Sequence, residues 1–153
     1  WSSDVCSSDH DSGIVVDCLG DAPGVYSARY AGFDGNDEAN NKKLRESIKG
    51  VPFEKCTARF VSVITIVYPD GDTIVARGEI EGHVIPEERG SNGFGYDPLF
   101  IPLGYDRTFG EFDLDDKNAI SHRSRALKSL KKQLEMRKMH ENKDNEKKHF
   151  PDL

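Results

Sequence analysis

The segment TARFVSVITIVY (residues 57–68) is dense in β-branched and aromatic side chains, and TIVARGEIEGHV (73–84) follows it across the tetrapeptide PDGD. Such side chains suit a pleated, half-buried surface. Pro, Asp and Gly together supply the backbone conformations of a tight reversal. The pair predicts a β-hairpin, and whatever else the chain forms has to be built around a sheet.

Either side of the hairpin the spacing is helical. In NDEANNKKLRESIKG (36–50), Asn36 or Asp37 is placed to cap a helix, acids crowd the first turn, Leu44 and Ile48 share a face, and Gly50 ends it. A second helix is predicted from Ser121 to Met139, with Ala126, Leu127, Leu130 and Leu134 at helical spacing and Lys and Arg between them. LFIP (99–102) reads as a short buried strand. The run SGIVVDCL (12–19) fits a strand or a helix and is read here as a short buried helical segment. YSARYAG (26–32) is too short to assign. A chain of 153 residues is enough for one domain with a real core. Its fold class is therefore α/β, with strands and helices layered in one domain and a strand order that is not legible.

The two ends read differently. WSSDVCSSDH (1–10) repeats SSD, has no apolar period, and contains Val-Cys-Ser-Ser-Asp, a translation of common sequencing-adaptor DNA in one frame. Residues 1–10 are accordingly expected to be a non-native leader, with native sequence from Asp11 and an N-terminal part missing. HENKDNEKKHFPDL (140–153) is expected to be a charged, solvated, disordered tail. The formal net charge of −6 argues against a general affinity for nucleic acid. No run of apolar residues reaches membrane-spanning length. Cys6, Cys18 and Cys56 show neither CxxC spacing nor even pairing, which favours a reducing compartment, and a cytoplasmic protein is expected.

Three segments carry candidate chemistry. In Asp11-Ser12-Gly13 a carboxylate precedes a small hydroxyl and a glycine, a pattern that presents oxygen to a metal but is also common in plain turns. In Gly90-Ser91-Asn92-Gly93-Phe94-Gly95-Tyr96-Asp97-Pro98, glycines flank Phe94, whose ring could lie against a planar ligand with stacking worth roughly 1–3 kcal/mol. Asp97, preceding proline, is expected to be extended, with a fixed carboxylate direction. The alternative is a glycine turn carrying a core aromatic. In Lys117-Asn118-Ala119-Ile120-Ser121-His122-Arg123, a helix capped by Ser121 would put His122 and Arg123 in its first turn, where cations oppose the helix dipole unless an anion or acceptor sits there.

These segments, in this order, resemble the inosine triphosphate pyrophosphatase family. The matching stretches are DSGIVVDCLGDAPGVYSARYAG, DEANNKKL, ARF, GFGYDPLF, TFGEF and DDKNAISHRSRAL, from Asp11 to about Leu134. The resemblance implies hydrolysis of purine nucleoside triphosphates with unusual bases (XTP, ITP, dITP) to monophosphate and pyrophosphate. It implies a Mg²⁺ cofactor, a homodimer, and an elongated, layered α/β protein with a mixed sheet, flanking helices and two lobes around a cleft, of which 11–139 would be the C-terminal portion. Asp11 would be proton acceptor and metal ligand. Ser12, Phe94, Gly95, Tyr96, Asp97, Lys117, His122 and Arg123 would contact substrate, the last two and Lys117 as cations. The family's T/S-G-N-x-x-K phosphate loop and its upstream glutamate have no counterpart, and His10 stands where an acidic residue is usual. A catalytically incomplete nucleotide-binding or dimerisation fragment is the alternative.

Overall fold

The computed structural model describes residues 7–32 and 35–149. In chain order these form strand β1 (Ser7–Val16), 3-10 turns at Asp17–Leu19 and Gly24–Arg29, helix α1 (Asp37–Ile48), strands β2 (Thr57–Val67), β3 (Thr73–Val84) and β4 (Phe100–Pro102), and helices α2 (Leu114–Ile120) and α3 (His122–His149). Positions 1–6 of the expected leader lie outside the described residues, whereas Ser7 to His10 continue β1 and pair with β2.

The sheet order is β1-β2-β3-β4, and all three pairings are antiparallel. The mixed sheet expected from the sequence is thus corrected to an antiparallel one among the described residues. The PDGD reversal admits only that pairing for β2 and β3, and the connections on either side also reverse the chain. Residues 12–16 are strand rather than helix. Ile14 and Val16 alternate inward opposite Phe60 and Ala58, so the period of two decides where the local run was ambiguous. Helical character survives only in the 3-10 turn Asp17–Leu19, which ends at left-handed Gly20.

The even-numbered side chains of β2 and β3 are buried, and the odd-numbered face is more open. α3 crosses the buried face at Gly78, where a Cβ would collide with the His122 carbonyl and the Ala126 amide. On one side of this crossing, Phe60, Phe100, Phe109 and Phe112 pack with Leu44 and Ile48 of α1. On the other, Ile64, Ile66, Ile74 and Ala76 pack with Ala126 and Leu130 of α3.

The ends of the helices follow from their caps. Asn36 Oδ1 accepts from the Ala39 amide at 2.9 Å, as its position before α1 predicts. Ser121 Oγ accepts from the Ser124 amide at 3.2 Å and opens α3. The segment expected to be a disordered tail is helical as far as His149, although its side chains from 140 to 148 are solvated as expected. Exposed charges do not break a helix when they pair along it, and Arg137 meets Glu141 at 3.2 Å.

Candidate active site

A cleft of about 200 Å³ opens between β1, the 92–97 loop and the first turn of α3. On its floor, Ser12 Oγ and His122 Nε2 are 2.8 Å apart. The His122 imidazole stacks on Phe60, with ring centroids 4.8 Å apart and planes 14° from parallel. Burial, reinforced by the positive charge of Arg123 and Lys117, pushes the His122 pKa down to about 3. The cation expected at this position is therefore a neutral imidazole, and its conflict with the helix dipole disappears. Its Nδ1 is buried without a hydrogen-bond partner among the described residues.

The glycine-rich loop forms the facing wall. Gly90, Gly93 and Gly95 have φ of 85°, 75° and 60°, so the backbone needs left-handed residues here. At Gly93 a Cβ would also meet the Asp97 carboxylate. Asp97 is not extended: it opens a 3-10 turn, Asp97–Leu99, and is only 2% exposed. Its Oδ2 accepts from the Phe94 amide at 3.0 Å and from Lys117 Nζ at 2.5 Å. Neighbours, rather than the following proline, fix the direction of this carboxylate. Burial pushes its pKa up, while the bond to Lys117 opposes that rise. Lys117 is raised into the interior by α2, which the sequence did not suggest, and its charge is committed to Asp97.

Phe94 remains 53% exposed, with the Lys117 ammonium 4.5 Å and the Arg123 guanidinium 4.6 Å from its ring centre. Gly95 is gripped at both ends of its residue by one face of α1. Its N–H donates to Asp37 Oδ2 and its carbonyl accepts from Asn41 Nδ2, each at 2.9 Å. Tyr96 is buried and donates its hydroxyl to the Ser27 carbonyl at 2.5 Å. Ser27 Oγ in turn accepts from the Ile14 amide at 2.9 Å, which ties the loop back to β1.

Asp11 stands apart. It is adjacent to Ser12 on β1, so its side chain leaves the sheet on the opposite face. There it borders a separate recess of about 400 Å³ with Val61, Val63 and Arg77. The structure therefore unites Ser12, Phe94, Gly95, Tyr96, Asp97, His122 and Arg123 at one cleft, with Lys117 joined through Asp97. Asp11 lies across the strand. Among the described residues no three His, Cys, Asp or Glu side chains cluster as a metal cage. An exposed single carboxylate does suit Mg²⁺, which is commonly held by one or two carboxylates and substrate phosphates.

Four contributors escaped the sequence reading: Ser27, Asp37, Asn41 and Phe60. Asn41 left a signal, because asparagine is a poor helix former and Asn40 and Asn41 share the buried side of α1 with Leu44 and Ile48. Asp37 is indistinguishable from an ordinary first-turn acid. Phe60 and Ser27 carry no local mark of their contacts.

Residues 8–133 match the model of the Ham1 family. A dITP/XTP pyrophosphatase of Clostridium perfringens is 52% identical over 124 residues, which is 81% of this chain and 61% of that protein. One from Aliarcobacter butzleri is 49% identical over 133 residues, 87% of this chain and 66% of that protein. Among solved structures, the Staphylococcus aureus Ham1 protein superposes with a TM-score of 0.80 at 39% identity, covering 85% of this chain and 67% of that one. A nucleoside-triphosphatase/dITP/XTP pyrophosphatase from Mycobacterium abscessus gives 0.73 at 43% identity, covering 80% and 63%. The chain spans less than two thirds of the length of these curated relatives.

Proposed function

The chain belongs to the Ham1 family, and from that premise we propose that the protein hydrolyses purine nucleoside triphosphates with unusual bases, such as XTP, ITP and dITP, to the monophosphate and pyrophosphate. The observation that carries this reading is the convergence of Phe94, His122 and Arg123 on one cleft beside the buried Asp97–Lys117 pair. An exposed aromatic face with a guanidinium beside it is suited to a base that is both planar and rich in acceptors.

Base selection follows from hydrogen-bond polarity. Hypoxanthine and xanthine carry an acceptor oxygen at C6, where adenine carries an amino donor. Arg123 has only donors to offer, so it favours the carbonyl and leaves donor facing donor when adenine enters. His122 is neutral and has a single N–H to contribute. Ser12, bonded to His122 where β1 meets the cleft, would contact the substrate.

Asp11 is the group we assign to proton acceptance and to a Mg²⁺ ion, and a substrate would have to reach round the edge of β1 to meet it. A bound Mg²⁺ would supply charge neutralisation for phosphate oxygens, which a protein of net charge −6 lacks overall. Asp11 itself would hold the ion or take the proton of the attacking water. The same reading makes the protein a cytoplasmic homodimer with no nucleic-acid partner.

Pyrophosphate release from XTP, ITP, dITP and ATP in the presence of Mg²⁺ tests the proposal, with Asp11→Asn alongside. Release from the first three and little from ATP, abolished in the variant, is expected. Equal turnover of ATP, or full activity of Asp11→Asn, would refute it.

A further inference from the structure

We propose that Cys18 and Cys56 form a thiol–disulfide pair at the foot of the β1–β2 ladder, a modification site whose oxidant is a small-molecule disulfide. The site is remote from the chemistry of the cleft and does not depend on the proposed substrate.

The pairing register supports it. The last ladder pair is Val16 with Ala58. Beyond it the same register continues through side chains: Thr57 Oγ1 donates to Asp17 Oδ2 at 2.6 Å, and Arg59 meets Asp17 at 3.4 Å. The ladder ends there, and Cys18, in the 3-10 turn Asp17–Leu19, and Cys56, which closes the 3-10 turn Phe53–Lys55, adjoin the bonded Asp17–Thr57 pair on either side, close enough for the Cys18 thiol to act on that of Cys56. A disulfide requires Cα atoms about 4.4–6.8 Å apart, and the bonded Asp17–Thr57 pair next to both cysteines holds these two chain ends together. Spacing along the sequence gave no sign of this pairing, because the two cysteines come together only through the sheet.

The two thiols are unlike. Cys18 is exposed, and Cys56 is 2% exposed at the core edge. Burial, with the neighbouring Cys18, raises the Cys56 thiol to about 11. Cys18 is therefore the group that meets an incoming reagent. Its thiolate attacks a disulfide such as oxidised glutathione, forms a mixed disulfide and expels one small thiolate. Cys56 then loses its proton and attacks the Cys18 sulfur, forming the protein disulfide and expelling the second small thiol. Two protein thiols are oxidised while one small disulfide is reduced to two thiols. In a reducing compartment the bond would open again, so the pair would report redox poise rather than act as a permanent staple.

The experiment uses the chain with Cys6→Ser, so that only the two thiols in question remain. It is incubated with oxidised glutathione, alkylated, and mapped by mass spectrometry without reduction. A Cys18 peptide joined to a Cys56 peptide, lighter by two hydrogens and separated by dithiothreitol, is expected. In Cys18→Ser on the same background, loss of the cross-link is expected, with Cys56 still protected from alkylation in the folded protein. Two free thiols after oxidation, or a glutathione adduct on Cys18 without a cross-link, would overturn the proposal.

Discussion

Lys117 Nζ and Asp97 Oδ2 are 2.5 Å apart, with both side chains almost wholly buried. The same oxygen holds the Phe94 amide, so a single ion pair joins α2 to the loop that faces the cleft. Removing one partner leaves an uncompensated buried charge. Lys117→Met is expected to cost about 3–5 kcal/mol in urea unfolding, and Lys117→Met with Asp97→Asn much less than the sum of the two single changes. Additive costs in the double-mutant cycle would show that the pair is not coupled.

Asn41 is expected to act on ligand affinity through Gly95. In Asn41→Ala the Gly95 carbonyl loses its partner, while Asp37, Tyr96 and Asp97 still hold the Phe94 wall. Binding of ITP without Mg²⁺, measured by calorimetry, should weaken about tenfold, equivalent to about 1.4 kcal/mol. Unchanged affinity in a variant where wild type binds would mean that the loop holds its own shape. Absence of binding by the wild type would instead count against the proposed substrate.

The approach of α3 to the sheet is set at Gly78. A methyl group there meets helix backbone rather than a movable side chain. Gly78→Ala is expected to lower stability by about 1–3 kcal/mol and to shift the first turn of α3, with His122 and Arg123 on it. Thermal melting reads the first effect, and chemical-shift changes at Ser12 and His122 the second. A variant as stable as wild type would rule out so tight a crossing.

Stability should also depend on pH through His122. In the unfolded chain its imidazole takes up a proton near 6.5, while in the folded chain it stays neutral down to about 3. Unfolding therefore binds a proton between these values, and stability falls as pH drops from 6.5 toward 3. The loss should reach a few kcal/mol at the acid end. Denaturant midpoints collected from pH 7 to 5 read the effect. His122→Asn should flatten the slope over that window, and an unchanged slope would assign it to other groups.

The hairpin, α1 with its Asn36 cap, and the start of α3 at Ser121 were legible because each rests on local chemistry: β-branched density, a turn tetrapeptide, or a capping side chain. The strand at 12–16 was not, since an apolar run of that length suits helix and strand alike until Phe60 and Ala58 appear opposite it. The helix beyond Met139 was missed for the converse reason, because its charges lack the apolar period that the reading followed. At the cleft, the residue types were legible and their states were not. His122 and Lys117 read as cations from sequence, yet burial neutralises the first and Asp97 occupies the second.

What the sequence by itself determined is the family, the elements with strong local signals, and a list of candidate site residues. Tertiary structure decided which of them meet: Ser12 with His122 across the floor, Gly95 between Asp37 and Asn41, and Asp11 on the far face of its strand. The physical reason is that motifs are written in short-range spacing, whereas protonation, pairing and facing depend on groups brought together by strand register and helix crossing.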